Sequence, residues 1–285
     1  MNIAMKRNHL ILFSLLALVF VSCQKEIDWG TGTSGGSDGD LLVKAHQITI
    51  ATNDTNVLTF QWDASKRLLK YTSAGKVNGT LTDITHTISR LSDGKIQRIV
   101  SKSSLTAGFL DSTVYIPVYE TSSTRLKYVI DTQYTLLGPL LDSCVYVYNG
   151  SGQVTSKETF SDFFGIVIPS GKETYVYDAN GSITTISNYS FNGATYDLAA
   201  TSTNTFSNHK SAVTLNEESF IILGAANASP KEVTKLVTNA VSSGTTYTNT
   251  FSAQQYNSND RPKQASLSVM PQPPGYDMKL VYFYQ

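Results

Sequence analysis

The chain has few charged residues, and neither sign predominates. Charged residues make up 15% of its 285 residues, and 22 basic side chains balance 22 acidic ones. Clustered lysine and arginine attract phosphate backbones, and no run of them here is long enough to form such a patch. We therefore expect no nucleic-acid partner.

Patterns that bind metals or perform catalysis are also missing. His46, His86 and His209 stand far apart, and none belongs to a ligand spacing such as H-E-x-x-H. The acidic residues that attract attention, such as Asp63 and Asp178, are explained as turn formers. The sequence thus predicts no metal site, no cofactor and no catalytic residue, and it does not favour an enzyme.

No apolar run reaches the about 20 residues that a membrane-spanning helix needs. The longest one, Leu10 to Val21, follows Lys6 and Arg7 and precedes Ser22-Cys23. A basic start, a short apolar stretch and a small residue are the three regions of a secretory signal. We predict a lipoprotein signal peptide over residues 1–22 and lipidation of Cys23, the alternative being an ordinary signal with an incidental cysteine.

Loss of residues 1–22 would leave 20 basic residues against 22 acidic ones, so the mature chain is nearly neutral. With Cys23 lipidated, Cys144 is the only other cysteine, and no intramolecular disulfide can form. The alternating pattern around Cys144 predicts a small buried residue of a strand.

Residues 23–40 are rich in glycine and serine and predict a flexible tether. The charged residues directly after Cys23 resemble the export signal of surface lipoproteins in Bacteroidota. This resemblance implies a lipid-anchored protein of the outer membrane that faces the outside of the cell. A merely solvated tether is the alternative.

From residue 41 onward the apolar residues alternate with a period near two, which is typical of β-strands. An aromatic residue followed by an acid or amide recurs before a polar turn, and Tyr119, Tyr148, Tyr177 and Phe206 are spaced by 29 residues. Other turns fall midway, at Asn78-Gly79, Leu137-Gly138-Pro139, Ile168-Pro169-Ser170-Gly171 and Asn192-Gly193. We predict one all-β domain over residues 41–285, an antiparallel up-and-down meander of long hairpins that forms a curled sheet or open barrel, with about 12 strands before residue 207.

One short helical insertion interrupts this pattern near residues 214–240. Its segment Glu217 to Gly224 begins with two acids and ends with glycine, which is typical of a helix. Because a sheet of a dozen or more strands cannot fill its own concavity, we expect the insertion to cover an end or the inner face of the sheet.

The turn unit Tyr175-Val176-Tyr177-Asp178-Ala179-Asn180-Gly181-Ser182-Ile183 resembles the YD repeats of Rhs-type proteins. The whole region resembles uncharacterised Bacteroidota surface lipoproteins with a porin-like, curled antiparallel sheet. Phe206 to Ser211, Ala226-Asn227 and Tyr256 to Pro262 are similar to late landmarks of that family. The resemblance implies a fold and a cell-surface location, and it brings no known activity.

An outer-membrane barrel also uses strands of about 10 residues. Charged Lys95, Arg98 and Lys102 occur within one predicted strand and on both of its faces, which favours a sheet outside the hydrocarbon.

Aromatic residues recur at corresponding positions of neighbouring hairpins and are either cross-strand core packing or a surface on which sugars or peptides stack. The candidate binding surface comprises Trp62, Tyr146, Tyr148, Tyr175, Tyr177 and Tyr189. The leading hypothesis is a non-enzymatic, lipid-anchored envelope protein whose curved β surface binds a glycan, a peptide or an envelope protein. Two alternatives stay open. A hydrolase requires two carboxylates about 5 to 10 Å apart in a polar pocket, and a carrier of an apolar ligand requires a dry cavity lined by Phe and Leu.

Overall fold

A computed structural model describes residues 39–106, 109–121, 123–163, 165–271 and 276–285. The predicted signal peptide, the lipidation site Cys23 and the tether up to residue 38 lie outside the described residues. Among those described, no helix has the length and hydropathy needed to cross a bilayer.

The described chain is almost entirely β-structure, which confirms the predicted fold class. Its strands are β1 (Leu42–Thr49), β2 (Thr55–Trp62), β3 (Leu68–Val77), β4 (Thr80–Arg90), β5 (Ile96–Lys102), β6 (Leu110–Tyr119), β7 (Leu126–Thr135), β8 (Gly138–Tyr148), β9 (Val154–Phe163), β10 (Ile166–Tyr177), β11 (Ile183–Phe191), β12 (Tyr196–Lys210), β13 (Lys231–Ala240), β14 (Thr245–Tyr256), β15 (Pro262–Met270) and β16 (Met278–Tyr284). A short 3-10 helix, Ser104–Thr106, lies between β5 and β6.

Each strand pairs antiparallel with the next, and β1 pairs with β16, so that the meander closes into a barrel. The closing register runs from Leu42 opposite Tyr284 to Thr49 opposite Met278. The sequence left open whether the sheet closes. The structure closes it, and neither end strand is left as an unpaired edge.

Because the strands alternate in direction, the turns divide into two rims. The turns that follow even-numbered strands form one rim, here called the plug rim, and those that follow odd-numbered strands form the far rim. The described chain also begins at the plug rim, where the backbones of Leu41 and Gln285 exchange two hydrogen bonds.

The repeated turns at the plug rim share one geometry. In the turn after β8, Asn149 Oδ1 accepts the backbone N–H groups of Ser151 and Gln153, each at 3.0 Å. Gly152 in the same turn has a φ of 81°, a conformation that glycine adopts without a steric penalty. The side chain of an Asp or Asn at this position accepts the backbone N–H groups of the residues two and four positions later. This role explains why the repeat carries an Asp or Asn there.

Two far-rim turns differ from the prediction. Ile168-Pro169-Ser170-Gly171 lies within β10, where the register shifts between Pro169 and Gly171. The strands meet earlier in the chain, where Phe163 at the end of β9 pairs with Ile166 at the start of β10. Proline lacks an N–H for the strand ladder, so a bulge accommodates it inside a strand. The other turn is centred on Leu136 and Leu137, and the predicted corner residues Gly138 and Pro139 open β8.

The insertion between β12 and β13 spans residues 211–230 and is shorter than predicted, since residues 231–240 form β13. It holds one turn of π-helix, Ser219–Leu223, and a 3-10 turn, Ala225–Ala228. Its Leu215 and Leu223 join a core cluster of β1 to β5, and its Ala225 joins a second cluster of β7 to β11. The predicted role is confirmed, because the insertion packs inside the barrel at the plug rim.

Candidate functional site

The six predicted aromatic residues fall into three groups in the structure. Tyr146 and Tyr175 are buried and pack against the insertion. Trp62, Tyr148 and Tyr177 each end a strand at the plug rim and are partly exposed. Tyr189 is paired with Lys172 and lies on the outer wall of the barrel. The structure thus does not bring the six together into one surface.

Strand-ending side chains at the plug rim bind the backbone where the neighbouring strand begins. Trp62 Nε1 donates to the carbonyl of Leu42 at 2.7 Å, and Tyr177 Oη donates to the carbonyl of Val154 at 2.8 Å. Arg90 and Tyr284 donate in the same way to the carbonyls of Leu68 and Pro262, and Asn204 within β12 donates to the carbonyl of Ile183. Tyr119 Oη instead accepts the backbone N–H of Ile96 at 2.9 Å. These bonds form a belt around the rim and explain why an aromatic residue with a polar tip recurs before each turn.

The insertion is fixed to this belt by polar contacts. Tyr119 Oη donates to Glu217 Oε2 at 2.8 Å, and Tyr146 Oη donates to the carbonyl of Phe220 at 3.3 Å. Ser229 Oγ accepts the backbone N–H of Ile183 at 3.0 Å. The insertion therefore contacts the plug rim through both polar and apolar groups.

An ion pair lies at the centre of this interface. Arg90 Nη2 contacts Glu218 Oε1, and both side chains are less than a tenth exposed. Arg90 also donates to the carbonyls of Leu68 and Gly94. Breaking a buried pair of this kind leaves an uncompensated charge, which typically costs about 3 to 5 kcal/mol.

A polar cleft of about 290 Å³ opens between the insertion and the turns that follow β2 and β4. Its lining includes Trp62, the basic residues Lys66 and Lys95, and the acidic residue Glu217. Lys95 Nζ lies 5.4 Å from the centre of the Tyr119 ring and 3.3 Å from Asp93 Oδ2. Lys66 is exposed and has a φ of 61°, which few residues other than glycine and asparagine adopt.

The carboxyl group of Glu217 is the perturbed group of the cleft. Burial raises its pKa and the nearby charge of Glu218 adds to the rise, whereas the hydrogen bond from Tyr119 opposes it. The pKa of the Tyr119 hydroxyl is raised as well, first by burial and then by Glu217.

A second group of titratable side chains lines the barrel interior below the insertion. Asp131 on β7 stands directly opposite Asp142 on β8. Burial and the charge of Asp142 raise the pKa of Asp131 to about 7. Nearby, Lys157 Nζ lies 3.7 Å from Glu173 Oε1, and Tyr175 Oη donates to Glu173 at 2.6 Å. In the described part of the chain, no group of three or more His, Cys, Asp and Glu could hold a metal ion.

An apolar cavity of about 110 Å³ lies between the insertion and strands β1, β2, β14 and β16. Leu58, Phe60, Phe251 and Leu280 contribute to its lining. Sites for drug-sized ligands have volumes of about 300 to 1,000 Å³. The lining matches the expectation for a carrier of apolar ligands, but the volume is too small for a fatty chain.

Sequence reasoning found Trp62 and missed the other groups of the cleft. Lys66 and Lys95 belong to turns that are near neighbours in the barrel. Glu217 lies in the insertion, more than 120 residues further along the chain. One signal was visible. Arg90 occupies the strand end where other hairpins carry an aromatic residue, and its side chain contacts Glu218 of the insertion.

No family model matches the chain, and no curated protein matches it. Two solved structures are similar in fold. A porin-like protein from Bacteroides uniformis has a TM-score of 0.51 and 14% identity, over 87% of this chain and 99% of that chain. A porin-like protein from Bacteroides vulgatus has a TM-score of 0.50 and 12% identity, over 86% of this chain and 98% of that chain. The porin-like antiparallel sheet that the sequence resemblance implied is thus confirmed at the level of fold.

Proposed function

We propose that this protein is a non-enzymatic envelope protein, lipid-anchored through Cys23 at the outer membrane, which binds a glycan in the plug-rim cleft. The barrel provides a rigid support, and the insertion shapes the cleft. A peptide or an envelope protein is the alternative occupant.

The cleft itself is the observation on which the proposal rests. Trp62, Lys66, Lys95 and Glu217 contribute to its lining. An indole face packs against the C–H face of a sugar, and charged donors and acceptors bind its hydroxyl groups. A few polar groups around one aromatic surface are typical of small-ligand sites.

The partners of the two acidic residues beside the cleft support a binding role for the cleft. Glu218 is occupied by Arg90, and Glu217 accepts the hydroxyl of Tyr119. Both carboxylates therefore attach the insertion to the rim. A general acid or nucleophile would need its oxygen directed at a substrate bond.

The outer wall supports a barrel that stands outside the hydrocarbon. Lys172 Nζ pairs with Glu158 Oε1 at 2.6 Å on that wall, and Arg98, Lys102 and Lys235 are exposed. A lysine or arginine that faces lipid at the bilayer midplane costs about 2 to 4 kcal/mol. An anchor at Cys23 would instead hold the barrel beside the membrane.

Glycan-array binding with the mature protein tests the proposal. We expect Lys66→Asn to weaken binding about tenfold, because one charge-assisted hydrogen bond is lost while asparagine tolerates the local φ. Trp62→Ala should abolish binding, and Tyr189→Ala on the outer wall is the matched aromatic control.

Two results would contradict the proposal. One is silence on the array together with no partner recovered from outer-membrane extracts. The other is glycan binding that Lys66→Asn and Trp62→Ala leave unchanged, since the ligand would then occupy another surface.

A further inference from the structure

Three adjacent hairpin tips of the far rim carry large apolar side chains in solvent. They belong to the connections β5–β6, β7–β8 and β9–β10, and the backbone N–H of Leu136 donates to the carbonyl of Phe109 across two of them. Leu137 is 92% exposed, Leu136 75%, Phe109 67% and Ile166 66%. We call Leu105, Phe109, Leu136, Leu137, Ile166 and Val167 the apolar lip.

The lip lies on one side of the far rim, and elsewhere on that rim Leu81, Val241 and Met270 are also exposed. The tips after β1, β3 and β11 are polar and contain Asn53-Asp54, Asn78-Gly79 and Asn192-Gly193. A hairpin tip normally uses such residues, because they adopt the turn and remain solvated. Two leucines at the summit of a turn serve neither purpose, and exposed apolar clusters of this kind mark interaction sites.

From these tips we propose that the apolar lip inserts into the surface of a lipid bilayer. The sequence of the three tips, residues 103–110, 134–141 and 163–168, contains no charged residue. The charges that directly flank the tips are Lys102, Asp111, Asp142 and Asp162, and Asp162 Oδ1 accepts the backbone N–H of Gly165 at 2.7 Å. In a bilayer, the apolar tips would lie in the hydrocarbon and the charges behind them would lie at the level of the headgroups.

The shape of the lip favours lipid over a protein partner. Its side chains project from separate tips, and a side chain as exposed as Leu137 has almost no neighbour in the barrel. A rigid protein partner would need a matching pocket for every tip. Fluid hydrocarbon surrounds each tip without such a match, as it does for the apolar faces of interfacial proteins.

The length of the chain before the barrel is compatible with this orientation. Gly39 follows Cys23 by 16 positions, and a chain of 16 steps extends to at most about 55 Å. Strands of about 10 residues make the barrel no taller than about 33 Å. An anchor at Cys23 can therefore lie in the same bilayer as the lip, although Gly39 lies at the opposite rim.

The consequence is an orientation for the ligand cleft. With the lip in the bilayer, the plug rim and its cleft face away from the membrane. Insertion of the lip does not depend on the proposed glycan site, and the two can fail separately.

Fluorescence quenching by nitroxide-labelled lipid tests the proposal. The full chain, with Cys144→Ala, receives a single added cysteine by Leu137→Cys, Ile166→Cys or Ala194→Cys, and each is labelled with an environment-sensitive fluorophore. Ala194, at the polar tip after β11, is the matched control at the same rim. The parent without an added cysteine reports any label at Cys23.

In phosphatidylcholine vesicles we expect nitroxide lipid to quench the probes at positions 137 and 166 and to leave the probe at 194 bright. The double substitution Leu136→Ser and Leu137→Ser should remove quenching at 166 while the urea-unfolding midpoint in solution stays unchanged. No quenching at 137, or equal quenching at all three positions, would overturn the proposal.

Discussion

Replacing Asp131 by asparagine should make the barrel more stable at neutral and alkaline pH. Asp131 lies on the inner wall directly opposite Asp142, and its Oδ1 atom is buried without a hydrogen-bond partner among the described residues. Like charges directly opposite in a sheet are destabilising. Asparagine keeps the shape of the protonated side chain and cannot ionise.

The sign and size of the effect follow from the pKa. Burial and Asp142 raise the pKa of Asp131 from 3.8 to about 7 in the folded state. Between these values the folded state holds a proton that the unfolded state releases, so the free energy of unfolding falls as the pH rises. Three pKa units correspond to about 4 kcal/mol, and partial exposure of the side chain reduces this to about 2 to 4 kcal/mol.

Urea unfolding of both proteins between pH 4 and pH 8 measures the difference. His86 changes the free energy of unfolding with pH in the opposite direction to Asp131. Burial lowers the pKa of His86 to about 4, and its protonation destabilises the fold as the pH falls. Subtracting the two curves cancels that contribution. The variant should gain stability progressively from about pH 4 to pH 7, and Asp111→Asn at an exposed position of β6 should change little. A difference that is the same at every pH would refute the reasoning.

Three further changes test the plug rim by urea unfolding. Tyr177→Phe should lose about 1 kcal/mol with its hydrogen bond to Val154, whereas Tyr189→Phe on the outer wall should be neutral. Gly181→Ala should cost about 1 to 2 kcal/mol because its φ is 82°, whereas Gly150→Ala should be harmless since a Cβ there meets open space. Glu218→Gln should cost about 3 kcal/mol by leaving a buried guanidinium uncompensated. Equal effects of a variant and its control, or an unchanged stability of Glu218→Gln, would contradict these assignments.

Local patterns predicted the parts of the fold that local physics determines. The alternation of apolar residues predicted the strands, and the 29-residue spacing of Tyr119, Tyr148 and Tyr177 predicted the repeated turns of one rim. Twelve strands precede the insertion, the last ending at Lys210. Asn78-Gly79 forms the expected turn with both φ values positive.

Features that depend on distant residues could not be predicted in the same way. A period of two shows that side chains alternate between faces, but it does not show which face is the interior. Tyr175 is buried inside and Tyr189 lies outside for this reason. Closure between β1 and β16 is equally non-local, because each end strand presents the same backbone groups to any partner.

The insertion shows why the cleft required the structure. Glu217 and Glu218 are adjacent, and their pattern predicted only the start of a helix. In the structure each carboxylate meets a different strand end, Glu217 at Tyr119 and Glu218 at Arg90. These two strand ends belong to alternate strands, so the insertion spans the belt and leaves the cleft beside them.

The two rims have opposite chemistry although one repeat generates both. At the plug rim, strand-ending donors such as Trp62 and Tyr177 bind the neighbouring strand, and apolar side chains such as Leu68 and Ile183 pack in clusters with residues of the insertion. At the far rim, tips such as Leu137 turn apolar groups outward. A hairpin tip has little structural need for leucine, because backbone conformation and solvation both favour Asn-Gly there. The leucines are therefore better explained by a contact outside the barrel than by its folding.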